Sequence, residues 1–198
     1  FEKSFVLAKP VHHAFLHISG LGFYEAFLNQ MRIGNKVLDP IPTRYDKRVL
    51  YSTYPVEQHL TPGTNTLRVL LGHGWYDVRS VAVWNFDNAP WRSAPKLIAQ
   101  LEVTYTDQTT ETIVTDASWH HVAHPVRFDC IREGEIIQPV DATASNTVYP
   151  AVCVAPPEGK WVAEALPPTR ITELIPPHAI RAPAPYTCLV DFIQNLAS

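Results

Sequence analysis

The chain has 198 residues, of which 46% are hydrophobic and 18% charged, and its formal net charge at pH 7 is −3. This is enough apolar material for one large domain, or for one domain and part of a second. Lysine and arginine are scattered, so the charge pattern excludes a nucleic-acid partner. No apolar run approaches the roughly 18 residues of a membrane-spanning helix, and the sequence therefore predicts no membrane partner.

Short runs of apolar and β-branched residues, separated by turn residues, predict strands along the chain. In chain order these runs are FVLA, AFLHIS, FYEAFLN, RVLYSTYPV, TLRVLLG, KLIAQLEVTYT, ETIVTD and YTCLVDF. The clearest hairpin is LIAQLEVTYTDQTTETIVTD, in which Leu101, Val103 and Tyr105 alternate with polar residues. A second hairpin is predicted in FYEAFLN-QM-RIGNKVL, with Asn29-Gln30 as a weaker turn pair than Asn-Gly.

The spacing and composition of these runs predict the fold class. No window keeps helical periodicity over about ten residues, and the 18 prolines favour sheet edges and loops. Many short antiparallel strands predict an all-β fold, a jelly-roll-like β-sandwich. With only 8 glycines and no GxxxxGK or GxGxxG motif, the sequence excludes a phosphate-binding loop.

The composition changes after Asp141, and three parts are predicted. Residues 1–141 form the sandwich, residues 142–185 form a proline-rich connector, and residues 186–198 begin a second β-domain that is cut off at Ser198. A severed domain exposes a strand edge near Tyr186 to Phe192, which favours association with another chain, including a second copy.

A series of motifs carries a family resemblance. In order these are ISGLGFYEAFLNQMRIGNKVLDP, YDKRVLYSTYPV, LLGHGWYD, LIAQLEVTYTDQTTETIVTD, RFDCIREGEIIQPVDA, and PPTRITELIPP followed by YTCLVDFIQNLAS. Together they resemble the N-terminal β-sandwich module of bacterial α-L-rhamnosidases and the start of the next β-domain. The likeness covers roughly residues 10 to 141 and 165 to 198.

The resemblance implies a non-catalytic accessory portion of an α-L-rhamnosidase-like glycoside hydrolase. In that family the two catalytic acids lie in an (α/α)6 barrel far downstream, so no catalytic residue is assigned to this chain. The implied partners are the downstream catalytic domain of the same polypeptide and rhamnose-containing glycans of plants or microbes. The alternative is a stand-alone carbohydrate-binding module, and the gene sequence beyond Ser198 separates the two.

Aromatic and acidic side chains concentrate in LGHGWYD and WNFDNAPW, which include Trp84 and Phe86. A sugar site needs a flat ring for stacking and nearby polar groups for its hydroxyls. The candidate carbohydrate-binding residues are therefore Trp75, Tyr76, Asp77, Asp87, Asn88 and Trp91. The alternative is that these aromatics fill the core and the contact with a neighbouring domain.

The glycines of LGHGWYD predict a tight strand-end corner, with Gly72 and Gly74 permitting unusual backbone angles or close approach. The sequence requires no cofactor, but some members of the family bind rhamnose in this module with calcium. Oxygen donors for calcium would come from Asp39, Asp77, Asp87 and Asn88, although no calcium-loop spacing selects among them. His73 stands where the family tends to have an acid, which argues against a ligand role for the corner.

Other chemistry is weighed and set aside. His120 and His124 would share a strand face, and two such ligands begin a zinc site. This is the basis of a third hypothesis, a small metal-dependent hydrolase. A third ligand of defined spacing is missing, however. Glu133 and Glu135 of FDCIREGE would also share a face near Asp129, yet Arg127 and Arg132 are close enough to pair with these carboxylates. No metal site is therefore predicted. The three cysteines, Cys130, Cys153 and Cys188, are predicted to be buried structural thiols.

Overall fold

A computed structural model describes residues 1–78, 85–139 and 148–194, and in these ranges the protein is built from strands without an α-helix. The strands are β1 Glu2–Leu7, β2 Val11–Leu21, β3 Phe23–Leu28, β4 Met31–Arg32, β5 Arg48–Pro55, β6 Gly63–Gly72, β7 Lys96–Tyr105, β8 Thr110–Val114, β9 His120–Val122, β10 Val126–Cys130, β11 Gly134–Ile137, β12 Val148–Pro150, β13 Lys160–Ala163, β14 Ala179–Ala184 and β15 Thr187–Asp191. No helix in these ranges is long and apolar enough to cross a membrane.

Two sheets face each other. One has the order β12-β9-β1-β6-β3-β4 and the other the order β13-β5-β2-β7-β8. Two separate hairpins, β10-β11 and β14-β15, follow later in the chain. Every pairing is antiparallel except that of β13 with β5, which is parallel. The prediction of an all-β sandwich is therefore confirmed.

The core lies between the two sheets. Alternate side chains point inward because successive residues of a strand face opposite sides. The first sheet contributes Leu7, Leu28, Leu67 and Val69, and the second contributes Ala14, Leu16, Ile18, Leu101 and Val103, all at most 2% exposed. The predicted alternation of Leu101, Val103 and Tyr105 is thus the inward face of β7, and the predicted hairpin is the β7–β8 pair.

The second predicted hairpin is also present, with a shorter return strand than the sequence suggests. Asn29 and Gln30 both have positive φ, 49° and 71°, as a two-residue turn of the primed type requires. The Asn29 side chain donates to the His59 carbonyl oxygen and accepts from the Thr66 amide, which holds this turn in place without a glycine. The return strand, β4, is only two residues long.

Two strands that follow the β10–β11 hairpin also belong to the sandwich. β12 pairs with β9 at one edge of the first sheet, and β13 pairs with β5 at one edge of the second. Both lie within the predicted connector, residues 142–185, so the connector adds edge strands to both sheets. The predicted division at Asp141 falls outside the described residues, and the three-part division stays a prediction.

The prediction of buried thiols is wrong for two of the three cysteines. Cys153 and Cys188 are exposed and Cys130 is half-buried, and none of the three forms a disulfide bond. Cys153 lies in an extended stretch between β12 and β13, and Cys188 lies on a hairpin whose residues are nearly all exposed. The apolar runs around these cysteines are surface segments, so neighbouring hydrophobic letters do not bury them.

Candidate functional site

The corner after β6 is shaped by its two glycines. Gly74 has a φ of 51°, and a Cβ at this position would lie 2.9 Å from the backbone nitrogen of Phe23. A Cβ at Gly72 would lie 3.0 Å from a carboxylate oxygen of Asp129. Gly72 therefore permits close approach of the Asp129 side chain, and Gly74 permits both a left-handed backbone and close packing against Phe23. The predicted roles of both glycines are confirmed.

Two carboxylates and two basic side chains fix this corner. Asp129 of β10 accepts two hydrogen bonds from His73, one from its backbone amide and one from its ring Nδ1, each at 2.8 Å. Asp77 is 4% exposed and contacts the Arg92 guanidinium at 3.2 Å and His73 Nε2 at 3.6 Å. Arg92 also donates to the Val78 carbonyl oxygen at 2.8 Å. These contacts tie the corner to β10 and to the loop that ends at Arg92.

An aromatic cluster lies beneath the corner. Tyr76 is 3% exposed and meets Tyr45 edge-on, with ring centroids 5.1 Å apart. Trp91 lies 6.3 Å from Tyr45, and Phe86 lies 5.3 Å from Trp75. Burial raises the pKa of the Tyr76 and Tyr45 hydroxyls, so both stay neutral at physiological pH. This second, smaller core holds the corner and the loop together.

The 85–92 loop carries two buried polar atoms that lack hydrogen-bond partners among the described residues. A single 3-10 turn, Phe86–Asn88, begins after Asn85, whose φ is 52°. Asp87 Oδ2 accepts from the Asn88 amide group at 3.2 Å. Asp87 Oδ1 and Trp91 Nε1 are buried, and neither has a hydrogen-bond partner among the described residues. Buried polar atoms are nearly always paired, so this acceptor and this donor call for a ligand or water.

The structure brings the six predicted sugar-binding residues to one end of the sandwich. Tyr76 and Asp77 lie beneath the surface, where they support the loop, while Trp75 and Trp91 are half-buried. Trp75 packs against Phe86 and lies under the Arg132 guanidinium, 5.9 Å from its ring centroid. Asp87 is half-buried and Asn88 is exposed. Trp84, which the aromatic pattern also includes, lies outside the described residues.

The residues present do not fit a calcium ion. Asp77 is already paired with the Arg92 guanidinium and contacts His73, and Asp39 lies elsewhere, hydrogen-bonded to Tyr24. This leaves Asp87 and Asn88, fewer than the six to eight oxygen ligands that calcium prefers. In the described part of the chain, no three His, Cys, Asp or Glu residues are grouped so as to hold a metal.

The histidine and acidic motifs are also placed. β9 ends at Val122, so His120 and His124 do not share a strand face, and that expectation is wrong. His120 lies 3.9 Å from Glu2, and His121 stacks on Tyr149. Asp129 pairs with His73, a partner that the sequence did not suggest. Glu133 and Glu135 are exposed.

A buried ionic cluster, absent from the sequence predictions, fastens β13 to the sandwich. The Glu164 carboxylate has no exposed surface and lies 2.5 Å from Lys36 Nζ. It also accepts hydrogen bonds from Ser52 at 3.0 Å and from the Ile41 amide at 3.3 Å. Asp39 accepts from the Tyr24 hydroxyl at 2.7 Å and contacts Lys36 at 3.5 Å. Lys36 and Glu164 are 128 positions apart, and no local pattern links them.

The cluster's charges are unequally distributed. Burial raises the pKa of Asp39. The hydrogen bond from Tyr24 lowers this pKa, whereas the hydrogen bond with Glu164 raises it further. Burial alone would also raise the pKa of Glu164, but the hydrogen bonds with Lys36 and Asp39 lower it below its usual range. The charged partner of Lys36 is therefore Glu164.

Comparisons with known proteins relate this chain to one family of glycoside hydrolases. The sequence profile of a family described as "Alpha-L-rhamnosidase N-terminal domain" matches residues 9–173. An α-L-rhamnosidase of Streptomyces avermitilis is 34% identical over 198 residues, covering 95% of this chain and 19% of the relative. One of Formosa agariphila is 30% identical, covering all of this chain and 22% of the relative.

Solved structures show the same relation. An α-L-rhamnosidase of "Dictyoglumus thermophilum" superposes with a TM-score of 0.82 at 36% identity, over 96% of this chain and 21% of that one. The Streptomyces avermitilis enzyme, solved in complex with L-rhamnose, superposes with a TM-score of 0.81 at 31% identity, over 96% and 19%. The chain thus spans about a fifth of the length of these relatives. Because the family profile matches residues 9–173, the chain belongs to the α-L-rhamnosidase N-terminal domain family.

Proposed function

We propose that this chain is a non-catalytic accessory portion of an α-L-rhamnosidase-like glycoside hydrolase and binds a rhamnose-containing glycan beside the corner. The accessory role is supported by the relatives, in which the matching part is about a fifth of the protein. The downstream catalytic domain is then its covalent partner. A reading frame that continues past Ser198 into several hundred residues of helical repeats supports this role, whereas a stop codon there supports the stand-alone module.

The observation that carries the sugar site is the unpartnered pair in the 85–92 loop. Asp87 Oδ1 can only accept a hydrogen bond when ionised, and Trp91 Nε1 can only donate one. A sugar hydroxyl can do both, so the hydroxyls of a bound sugar supply a suitable partner for each atom. The indole rings of Trp75 and Trp91 and the ring of Phe86 supply apolar surface for the sugar's C–H face.

The 85–92 loop is held in place before any ligand arrives. Arg92 anchors its end to Asp77 and Val78, and Trp91 packs against Tyr45. A loop already fixed by such contacts loses little conformational entropy on binding. Because the Arg92 guanidinium already supplies a positive charge beside Asp77, the proposed sugar binding needs no calcium.

Calorimetric titration with L-rhamnose tests the site, in buffers with calcium and with a chelator. Binding of equal strength in both buffers is expected, together with a loss of about tenfold or more in Trp91→Phe and in Asp87→Ala. Trp91→Phe keeps a ring but removes the donor, and the exposed Asp191→Asn serves as a control for a lost acidic group. Absence of heat in both buffers, with tryptophan fluorescence unchanged, would leave these aromatics as packing alone.

A further inference from the structure

A cavity lies at the end of β9, and none of its lining residues belongs to the 85–92 loop. Its volume is about 410 Å³. The side chains that give it chemical character are His121, His124, Arg127 and Tyr149. Its remaining lining is Val122, Ala123 and Val126, so no carboxylate of the described residues contributes to it. The cavity therefore offers hydrogen-bond donors and an aromatic ring without a negative charge of its own.

A flat platform forms one wall of this cavity. Tyr149 and His121 are directly opposite each other in the β12–β9 pair. Their rings stack with centroids 4.9 Å apart and planes only 13° from parallel. Phe1 supports His121 from the side at 6.2 Å. Tyr149 remains 49% exposed, so part of a rigid aromatic surface is open to the C–H face of a sugar ring.

Arg127 reaches the cavity because of an irregularity in its strand. The register of β10 against β11 shifts between Val126 and Phe128, which makes Arg127 the extra residue of a bulge. Bulges turn a side chain away from its regular direction and are frequent beside binding sites. Arg127 forms no ion pair with any residue in the described ranges, so its guanidinium keeps its hydrogen-bonding capacity.

His124 has a defined tautomer beside Arg127. The Val126 backbone amide donates to His124 Nδ1 at 3.3 Å. In the neutral imidazole the proton must then be on Nε2, which makes that nitrogen a donor. A guanidinium fork and an imidazole N–H together match the two oxygens of a carboxylate, with the arginine as the bidentate partner.

We propose that this cavity binds a uronic acid residue of a glycan, with its carboxylate on Arg127 and His124 and its ring on the Tyr149–His121 platform. A neutral sugar would use the platform but would leave the guanidinium without a counter-charge. A free inorganic anion would use the guanidinium but not the platform. The site shares no residue with the 85–92 loop and functions independently of rhamnose binding there.

Calorimetry or amide chemical-shift titration with methyl β-D-glucuronide tests this site, with methyl β-D-glucoside and sodium sulfate as comparison ligands at equal ionic strength. We expect the glucuronide to bind at least about tenfold more tightly than either comparison ligand. Arg127→Gln and Tyr149→Ala should each weaken it about tenfold. Arg170→Gln removes an equally exposed cation from the connector and should leave affinity unchanged.

The outcomes separate the alternatives. Equal binding of glucuronide and glucoside, or unchanged affinity in Arg127→Gln, would overturn the carboxylate assignment. Equal binding of sulfate, with no effect of Tyr149→Ala, would reduce the site to a non-specific anion contact. Thermal unfolding of both variants confirms that they fold. Because rhamnose is neutral and binds at other residues, its titration in the same samples reports on the 85–92 loop separately.

Discussion

The buried Lys36–Glu164 pair makes a quantitative prediction. Glu164→Gln keeps the shape of the side chain but leaves the Lys36 ammonium, 18% exposed, without its 2.5 Å partner. Removing one partner of a buried ion pair costs about 3–5 kcal/mol. Lys36 keeps Asp39 at 3.5 Å and some contact with water, so the low end is expected, a loss of about 3 kcal/mol.

Thermal and urea unfolding, followed by circular dichroism, measure this cost. For a chain of this size about 3 kcal/mol lowers Tm by roughly 6–12 °C. Glu173→Gln is the matched control, since Glu173 is exposed in the same connector. In the double variant Lys36→Met/Glu164→Gln, the loss should be smaller than the sum of the single losses, because no lone ammonium remains. A Tm within about 2 °C of wild type for Glu164→Gln would refute the reasoning.

The pair also predicts a pH dependence with a definite sign. Because the pKa of Glu164 is lowered in the folded protein, its contribution is present above its unfolded value of 4.5 and is lost as the pH falls below it. The stability difference between wild type and Glu164→Gln should therefore narrow in acid. Asp39, whose pKa is raised, acts in the opposite direction, and its contribution is lost as the pH rises.

Three further predictions concern the corner, the N-terminal strand and the last hairpin. In urea unfolding, Gly74→Ala should cost at least about 1 kcal/mol more stability than Gly134→Ala. Both glycines have positive φ, but only Gly74 is crowded by Phe23. Equal losses of stability would show that φ alone matters. Hydrogen bonds from Ser118 and Lys3 lower the pKa of Asp116 to about 2. Asp116 therefore stabilises the fold above its ordinary pKa of 3.8 and loses this effect as the pH falls. The loss of stability with falling pH should be less steep in Asp116→Asn than in wild type, and identical curves would count against the contact. The exposed Ile180 and Val190, paired across β14 and β15, should promote association that rises with concentration in sedimentation and falls in Ile180→Thr/Val190→Thr; a monomer at every concentration would contradict this.

The sequence was sufficient for the main strands of the core because burial imposes a period of two on them. Leu101, Val103 and Tyr105 show that alternation, and burial follows it. The tight corner was also predictable, since two glycines around one residue restrict what the backbone can do. The clustering of the aromatic motifs followed from their closeness along the chain.

What the sequence did not show depends on distant partners. KWVA is a short strand among prolines, and its pairing with β5 is parallel and non-local, so no hairpin signal precedes it. Glu164 is one of many acidic residues until Lys36, Ser52 and Asp39 are brought around it. The partner of Asp129 was likewise unpredictable, because His73 lies 56 positions earlier, in the corner that follows β6.

The parallel β13–β5 pair has a consequence for how the protein is made. β5 leaves the ribosome with one edge open, and the strand that covers that edge follows about 110 residues later, some 5–20 seconds at ordinary rates of translation. During that interval Lys36 and Asp39 lack Glu164, and an unpaired strand edge is exposed to other nascent chains. Steady synthesis of the residues between β5 and β13 therefore limits misassembly of the sandwich, and slow codons between residues 56 and 160 would increase it.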